Sequence, residues 1–243
     1  MSTTVRHRFR YLIAELPSIG DVVALSAEDA HHLTRVARRQ HGDPVELIDS
    51  SGVRWPGQVA ATDPASVVIT GPSVLSAGED VRGTLWLGLC KADAAETVVR
   101  MVTELGLARI VFVRTERIGR VPGAEELERR TARLARIAEG AQRQCGRGAP
   151  LQIDGLVDLG AALAQADNGR AVMLDPRADF GLPGCLADGA IEHLFVGPEA
   201  GFADHERAAA AEAGVRSARL GPRILRVETA CVAAVTTILE ERA

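Results

Sequence analysis

The chain has 243 residues, 47% of them hydrophobic and 25% charged, with a formal net charge of −4. This is the composition of a folded globular protein. It excludes a surface coated in positive charge, and no apolar run approaches the roughly 18 to 20 residues that a membrane helix needs.

The N-terminal MSTTVRHRFRYL lacks the apolar core of a signal peptide, so a cytoplasmic location is expected. From there to about residue 75 the pattern is one of short strands separated by turns: FRYLIAEL, DVVALS, PVELIDSSG, RWPGQVAAT and SVVITGP, with HHLTRVARR as the only helical stretch. Short strands punctuated by Gly, Pro and Asp predict a small barrel or curled sheet. The boundary is placed near 74 to 82, giving a domain over 1–76 and a second over 77–243.

The second domain alternates. GTLWLGLCK reads as a strand, AAETVVRMVTELG as a helix stopped by Gly106, and ARIVFVRT as a strand. A long helix is predicted over about 124 to 145. Then come a strand (LQID), a helix (DLGAALAQA), two strands (RAVMLDP and EHLFVGP), a helix (DHERAAAAEAG), a strand (SARLGP) and a final helix over 226 to 241. Strands alternating with helices predict a mainly parallel sheet covered on both faces, an α/β fold. In the long helix, Arg129, Arg133, Arg136, Arg143 and Arg147 recur along one side, and Leu127, Leu134, Ala138, Ala141 and Cys145 lie opposite. One face is expected to pack. The other reads either as a solvated face paired to Glu125, Glu126, Glu128 and Glu139 or as a phosphate-contacting rail.

Cys90, Cys145, Cys185 and Cys231 are scattered, with no CxxC and no histidine at ligand spacing, so free thiols and no metal are expected. Lys91 is the only lysine; arginine carries the rest of the basic charge, in clusters that suit phosphate without a basic pI. No GxGxxG follows the first strand of the second domain, and there is no GxxxxGK[ST] and no GxSxG, so the usual dinucleotide, ATP and acyl-transfer readings fail. What remains are three apolar strands ending in AVMLDP, LFVGPEAG and ARLGPRILRVETA. In a parallel sheet, ligands bind at strand carboxyl ends. Gly permits close backbone approach, Pro fixes φ, and a following helix offers free N–H groups. Such a cradle suits an uncharged base with a polar tail.

These segments resemble the bacterial 16S ribosomal RNA uridine N3-methyltransferases, the RsmE family of the SPOUT superfamily. The family pattern GPEGG, a downstream Glu, then LG.RILR.ETA is matched by Gly197, Pro198, Glu199, Gly201, Glu206, Leu220, Gly221, Arg223, Ile224, Leu225, Arg226, Glu228, Thr229 and Ala230. TELG (103–106), QCGR (144–147) with Pro150, and HHLTRVARR with Gly42 and Asp43 extend the match over nearly the whole chain. Ala200 stands where the family has Gly, Met101 where a Lys is common, and Arg143 where an acid is usual; Ala200 is tolerated as long as its φ is not positive.

The resemblance implies S-adenosyl-L-methionine as cofactor, a deep trefoil knot in the C-terminal SPOUT domain, a PUA-like β-barrel for RNA binding before it, and a homodimer. The implied activity is methylation of N3 of a uridine of 16S rRNA in the small ribosomal subunit, the uridine numbered 1498 in the family. Arg226 and Glu228 are the expected catalytic pair. Leu174, Val196, Gly197, Pro198, Glu199, Gly201, Leu220, Gly221, Ile224, Leu225 and Thr229 are expected at the cofactor, and Arg10, Arg35, Arg38 and Arg147 at the RNA. Two rivals stand beside this reading: a ribose 2′-O-methyltransferase of tRNA or rRNA, against which the RILRVETA form and the N-terminal barrel count, and a noncatalytic RNA-binding assembly factor, against which intact Arg226, Glu228 and the two Gly-Pro loops count.

Overall fold

A computed structural model describes residues 9–14, 16–49, 53–73, 81–166, 169–186 and 190–240, without the side chains of 81, 82, 239 and 240. The chain divides into two compact units. One comprises 1–79 with 142–150, the other 80–141 with 151–243.

The first unit is a five-stranded curled sheet in the order β1-β3-β4-β5-β2, built from β1 (Arg10–Leu12), β2 (Val22–Ala24), β3 (Pro44–Ile48), β4 (Arg54–Thr62) and β5 (Ala65–Ile69). All its pairings are antiparallel except β1 with β3. Tyr11, Leu33, Leu47, Val67 and Ile69 form its core. The helical stretch starts earlier than the sequence reading placed it. Ser26 caps α1 (Ala27–His31) by accepting from the Asp29 N–H at 3.1 Å, and a π turn over His32–Val36 continues it. Two residues past this turn lies Arg38, the only described non-glycine residue with positive φ, at 50°.

The last turn of the long helix and the loop after it are part of this first unit. Arg10 Nε donates to Glu46 at 2.9 Å and its Nη1 to the Gln144 carbonyl at 3.3 Å; Arg54 donates to the Gly146 carbonyl, and Gln142 Nε2 to the Gly148 carbonyl at 2.7 Å. Gly146 has φ +77°, and a Cβ there would sit 2.4 Å from the Arg10 guanidinium carbon. Only glycine fits.

The second unit is a six-stranded sheet in the order β11-β9-β10-β6-β7-β8, parallel throughout. Its strands are β6 (Val81–Gly88), β7 (Leu107–Arg114), β8 (Gln152–Asp158), β9 (Ala171–Leu174), β10 (His193–Val196) and β11 (Arg216–Ala218). Strands buried on both faces read as near-continuous apolar runs, as LWLGL, IVFV and HLFV do. Alternate residues divide between two cores. Leu85, Leu87, Ile110, Phe112 and Leu194 face α2 (Ala92–Leu105), α3 (Ala124–Cys145), the short α5 (Leu182–Leu186) and α7 (Val227–Glu240). Trp86, Val111, Met173 and Phe195 face α4 (Leu159–Gln165) and α6 (Asp204–Glu212).

The ends and faces of the helices follow from sequence. Gly106, with φ +93°, closes α2 in the left-handed cap that favours glycine. On α3, Leu134, Ala138 and Ala141 are buried and Leu127 and Cys145 half-buried, so the packing face is the one the periodicity predicts. On α7, Val227, Cys231, Ala234, Val235 and Ile238 are buried at helical spacing.

Candidate active site

From β6 the chain runs to β7 and then β8 on one side, and from β10 it runs to β11 on the other. The neighbouring strands β6 and β10 are therefore a topological switch point, whose carboxyl ends leave a crevice. A cleft of about 850 Å³ lies there, lined by the residues after β6 (Lys91, Asp93, Ala94), after β9 (Leu174–Arg177), after β10 (Val196–Phe202) and after β11 (Ala218–Leu220). Gly221, Arg223–Glu228 and Ala230 complete the wall.

The loop after β10 is held from every side. Pro198 lies so close to β6 that a Cβ on Gly88 would come within 2.5 Å of its Cδ. A Cβ on Gly197 would lie 3.1 Å from the Gly201 Cα. The Gly201 N–H closes a turn onto the Pro198 carbonyl at 2.8 Å, and Gly201 takes the positive φ of +66°. Ala200 does not have positive φ, so alanine there is unstrained. Glu199 Oε1 accepts from the Lys91 N–H at 3.0 Å, linking this loop to the start of α2, and Arg117 Nη1 donates to the Ala200 carbonyl at 3.3 Å. Glu206 is 5% exposed. Its two oxygens accept from the Ala203 and Glu116 N–H groups, both at 2.7 Å, which caps α6 and ties in the loop after β7.

The floor after β9 is ionic. Buried Asp175 accepts from the Arg177 N–H at 2.9 Å and faces Arg207 Nε at 3.4 Å, and Asp204 accepts from Arg177 Nη2 at 3.0 Å. At the end of β6, Arg130 Nη2 donates to the Cys90 carbonyl at 2.7 Å. Burial pushes the Cys90 thiol up to about 12 and the Cys231 thiol well above its ordinary value, so both stay protonated and neither is a nucleophile.

The loop after β11 is open. Gly221 has φ +118°, Ile224 is 88% exposed and Leu225 half-buried. The Arg226 carbonyl accepts from the Ala230 N–H at 2.9 Å, so α7 starts at this point; Glu228 lies in its first turn, where the helix dipole favours an acid. Among the described residues the Arg226 guanidinium has neither a hydrogen bond nor an ion pair.

Thus twelve of the thirteen expected catalytic and cofactor residues, Leu174, Val196, Gly197, Pro198, Glu199, Gly201, Leu220, Gly221, Ile224, Leu225, Arg226 and Glu228, line one cleft. Thr229 is exposed and is not part of the lining. Gly88, Arg117, Asp175, Arg177 and Arg207 are not among the site residues expected from the sequence; AVMLDP marks the right strand end, but Arg207, the remote partner of Asp175, is 32 residues away along the chain. Among the described residues no group of His, Cys, Asp and Glu could hold a metal ion, and no helix is long and apolar enough to cross a membrane.

The expected RNA-contact arginines all lie in the first unit. Arg35 and Arg38 are exposed, whereas Arg10 is half-buried against Glu46. Arg147 does not end an open rail: the helix stops at Cys145, Gly146 turns the chain, and Arg147 is 7% exposed. Arg143 faces Glu28 and Asp29 at 3.4 and 3.5 Å. The open part of the rail is Arg129, Arg133 and Arg136, with Arg133 Nε 2.6 Å from Glu96 and Arg129 3.6 Å from Glu125.

Residues 78–239 match the family model described as the RNA methyltransferase domain. The chain is 30% identical over 241 residues to the ribosomal RNA small subunit methyltransferase E of Synechocystis sp., covering 95% of this chain and 77% of that protein. Its fold is that of the ribosomal RNA small subunit methyltransferase E of Neisseria gonorrhoeae solved with S-adenosyl methionine (TM-score 0.86, 24% identity, 96% of this chain and 98% of that one). It is also that of a Legionella pneumophila protein solved with the same cofactor (TM-score 0.84, 23% identity, 97% and 98%). On these matches the chain belongs to the RNA methyltransferase domain family and, within it, to the ribosomal RNA small subunit methyltransferases E.

Proposed function

We propose that this chain methylates N3 of a uridine in 16S rRNA, using S-adenosyl-L-methionine bound in the cleft. The observation that carries the reading is the grouping of twelve expected residues at one switch point. The cleft also fits the cofactor. Its volume lies within the roughly 300 to 1,000 Å³ of small-molecule sites. Backbone groups of 197–201 and 219–221 can read a base edge, Leu174, Leu220, Ile224 and Leu225 supply apolar walls, and Glu199 supplies negative charge that a sulfonium favours.

When bound, S-adenosyl-L-methionine supplies a methyl group on a sulfonium, which leaves as a neutral thioether. The protein's part is to hold the uracil N3 in line with that methyl and to manage the imide proton. Glu228 accepts the proton from N3, and the nitrogen lone pair so freed forms the new N–C bond. Arg226, without a partner among the described residues, stabilises the negative charge that develops across the imide. Glu199 positions the loop through the Lys91 N–H and touches no reacting atom.

Exposed Arg35 and Arg38 contact the RNA in this reading, with Arg10 bracing the loop of 144–148 in which Arg147 is buried. The same reading includes the homodimer, the trefoil knot and the cytoplasmic location that the family implies. Calorimetric titration with S-adenosyl-L-methionine is expected to show one site per chain. Mass mapping of rRNA from a deletion strain, with and without the cloned gene, is expected to show N3-methyluridine only with the gene. An unchanged N3-methyluridine level would overturn the assignment.

A further inference from the structure

We propose that Phe180 is a stacking platform for an unpaired RNA base adjacent to the uridine that enters the cleft. The inference rests on the reading of the cleft as a uridine N3-methylation site.

Two tryptophans, one tyrosine and five phenylalanines are the whole aromatic set of this chain. Tyr11, Trp86, Phe112, Phe195 and Phe202 are buried, and Phe9 and Trp55 half-buried. Phe180 alone is exposed, at 72%. A single exposed apolar side chain is ordinary on a protein surface. What distinguishes this one is that its backbone is fixed and its ring is not. The Arg219 N–H donates to the Phe180 carbonyl at 2.9 Å, the Arg219 guanidinium donates to the carbonyls of Ala178 and Asp179, and the Leu182 N–H donates to the Arg219 carbonyl at 3.0 Å. The loop is tied at its start by the Ala178 N–H to the Asp175 carbonyl at 3.1 Å.

Arg219 and Asp175–Arg177 line the cleft, and the Phe180 backbone is hydrogen-bonded to Arg219, so Phe180 belongs to the segment next to that wall. Arg177, Arg219 and Arg223 put positive charge in the same wall, which suits the phosphates of a strand whose base meets the ring. N3 lies on the Watson–Crick edge of uracil, so the target base must leave its pairing and its stack before it can react. Its neighbour then loses a stacking partner, and an aromatic side chain can supply one regardless of base identity.

The test compares Phe180→Ala, Phe180→Leu and Phe180→Tyr. The readouts are kcat and KM on small subunits, the Kd for S-adenosyl-L-methionine, anisotropy of a short unstructured labelled RNA, and sedimentation velocity. Loss of one stack is expected to raise KM and the RNA Kd about tenfold in both Ala and Leu variants, with kcat and cofactor Kd unchanged and Tyr restoring wild-type values. A Leu variant that binds RNA like wild type would overturn the proposal. So would an Ala variant whose oligomeric state changes and is restored by Leu, since that marks an apolar contact between copies. If wild type transfers no methyl to N3, the assigned reaction fails, while the RNA anisotropy of the three variants still decides whether the ring stacks.

Discussion

Two Gly-Pro loops line the cleft, and they are built in opposite ways. The one after β10, residues 197–203, spends its polar groups and its glycines on the protein: Glu199 on the Lys91 N–H, Ala200 on Arg117, Pro198 against Gly88. The one after β11 turns outward from residue 221 to 226, with Ile224 and Arg226 exposed. Side chains that stabilise nothing in their own chain are there for something else, whereas a loop braced at each residue provides shape. The first wall is therefore a template and the second the working surface.

Substitutions should separate the two. The largest effect is expected from the working surface: Arg226→Ala or Glu228→Gln should slow methyl transfer by about 10²- to 10³-fold, with the cofactor Kd within about threefold and thermal stability unchanged, measured by single-turnover kinetics and calorimetry. Loss of fold instead would place both residues in the template. Next is Gly88→Ala, whose Cβ meets the Pro198 ring at 2.5 Å. Displacing that loop should cost about 1–3 kcal/mol in urea unfolding and weaken cofactor binding together with stability.

Smaller is Ile224→Ala. Because the side chain is 88% exposed, stability should change by less than about 0.5 kcal/mol, while cofactor affinity falls about five- to tenfold through lost apolar contact. Smallest is Ala200→Gly, which restores the family residue. Since φ at 200 is not positive, transfer rate should not improve, and stability should fall by at most about 1 kcal/mol from added chain freedom. A faster enzyme would show that the first loop moves during the reaction and is no fixed template.

Most of the second unit was legible because its strands are buried on both faces and its helices carry a 3.6-residue period; α3 is the clearest case, at Ala124–Cys145. The helix α5 was not, since LPGCL places Pro and Gly inside five residues and offers no period. The cleft was legible in outline because Gly-Pro at two strand ends is a local signal. Its bracing was not, because the partners are remote: Lys91 with Glu199, Glu116 with Glu206, Arg177 with Asp204. Arg147 shows the limit of helical periodicity, which continues on paper past Cys145 although Gly146 has already turned the chain into a buried loop.

That loop has a consequence for how the protein is made. The sheet of the first unit is encoded by residue 69, yet Arg10 and Arg54 find their carbonyl acceptors at Gln144 and Gly146. A nascent chain that has just released its first five strands holds a sheet with two guanidinium groups still without those acceptors. It must wait through the synthesis of β6, α2, β7 and α3 before the clasp arrives. Domains generally fold as units from the N-terminus during translation. Here the first to emerge is the one that cannot be finished until more than half of the polypeptide has left the ribosome.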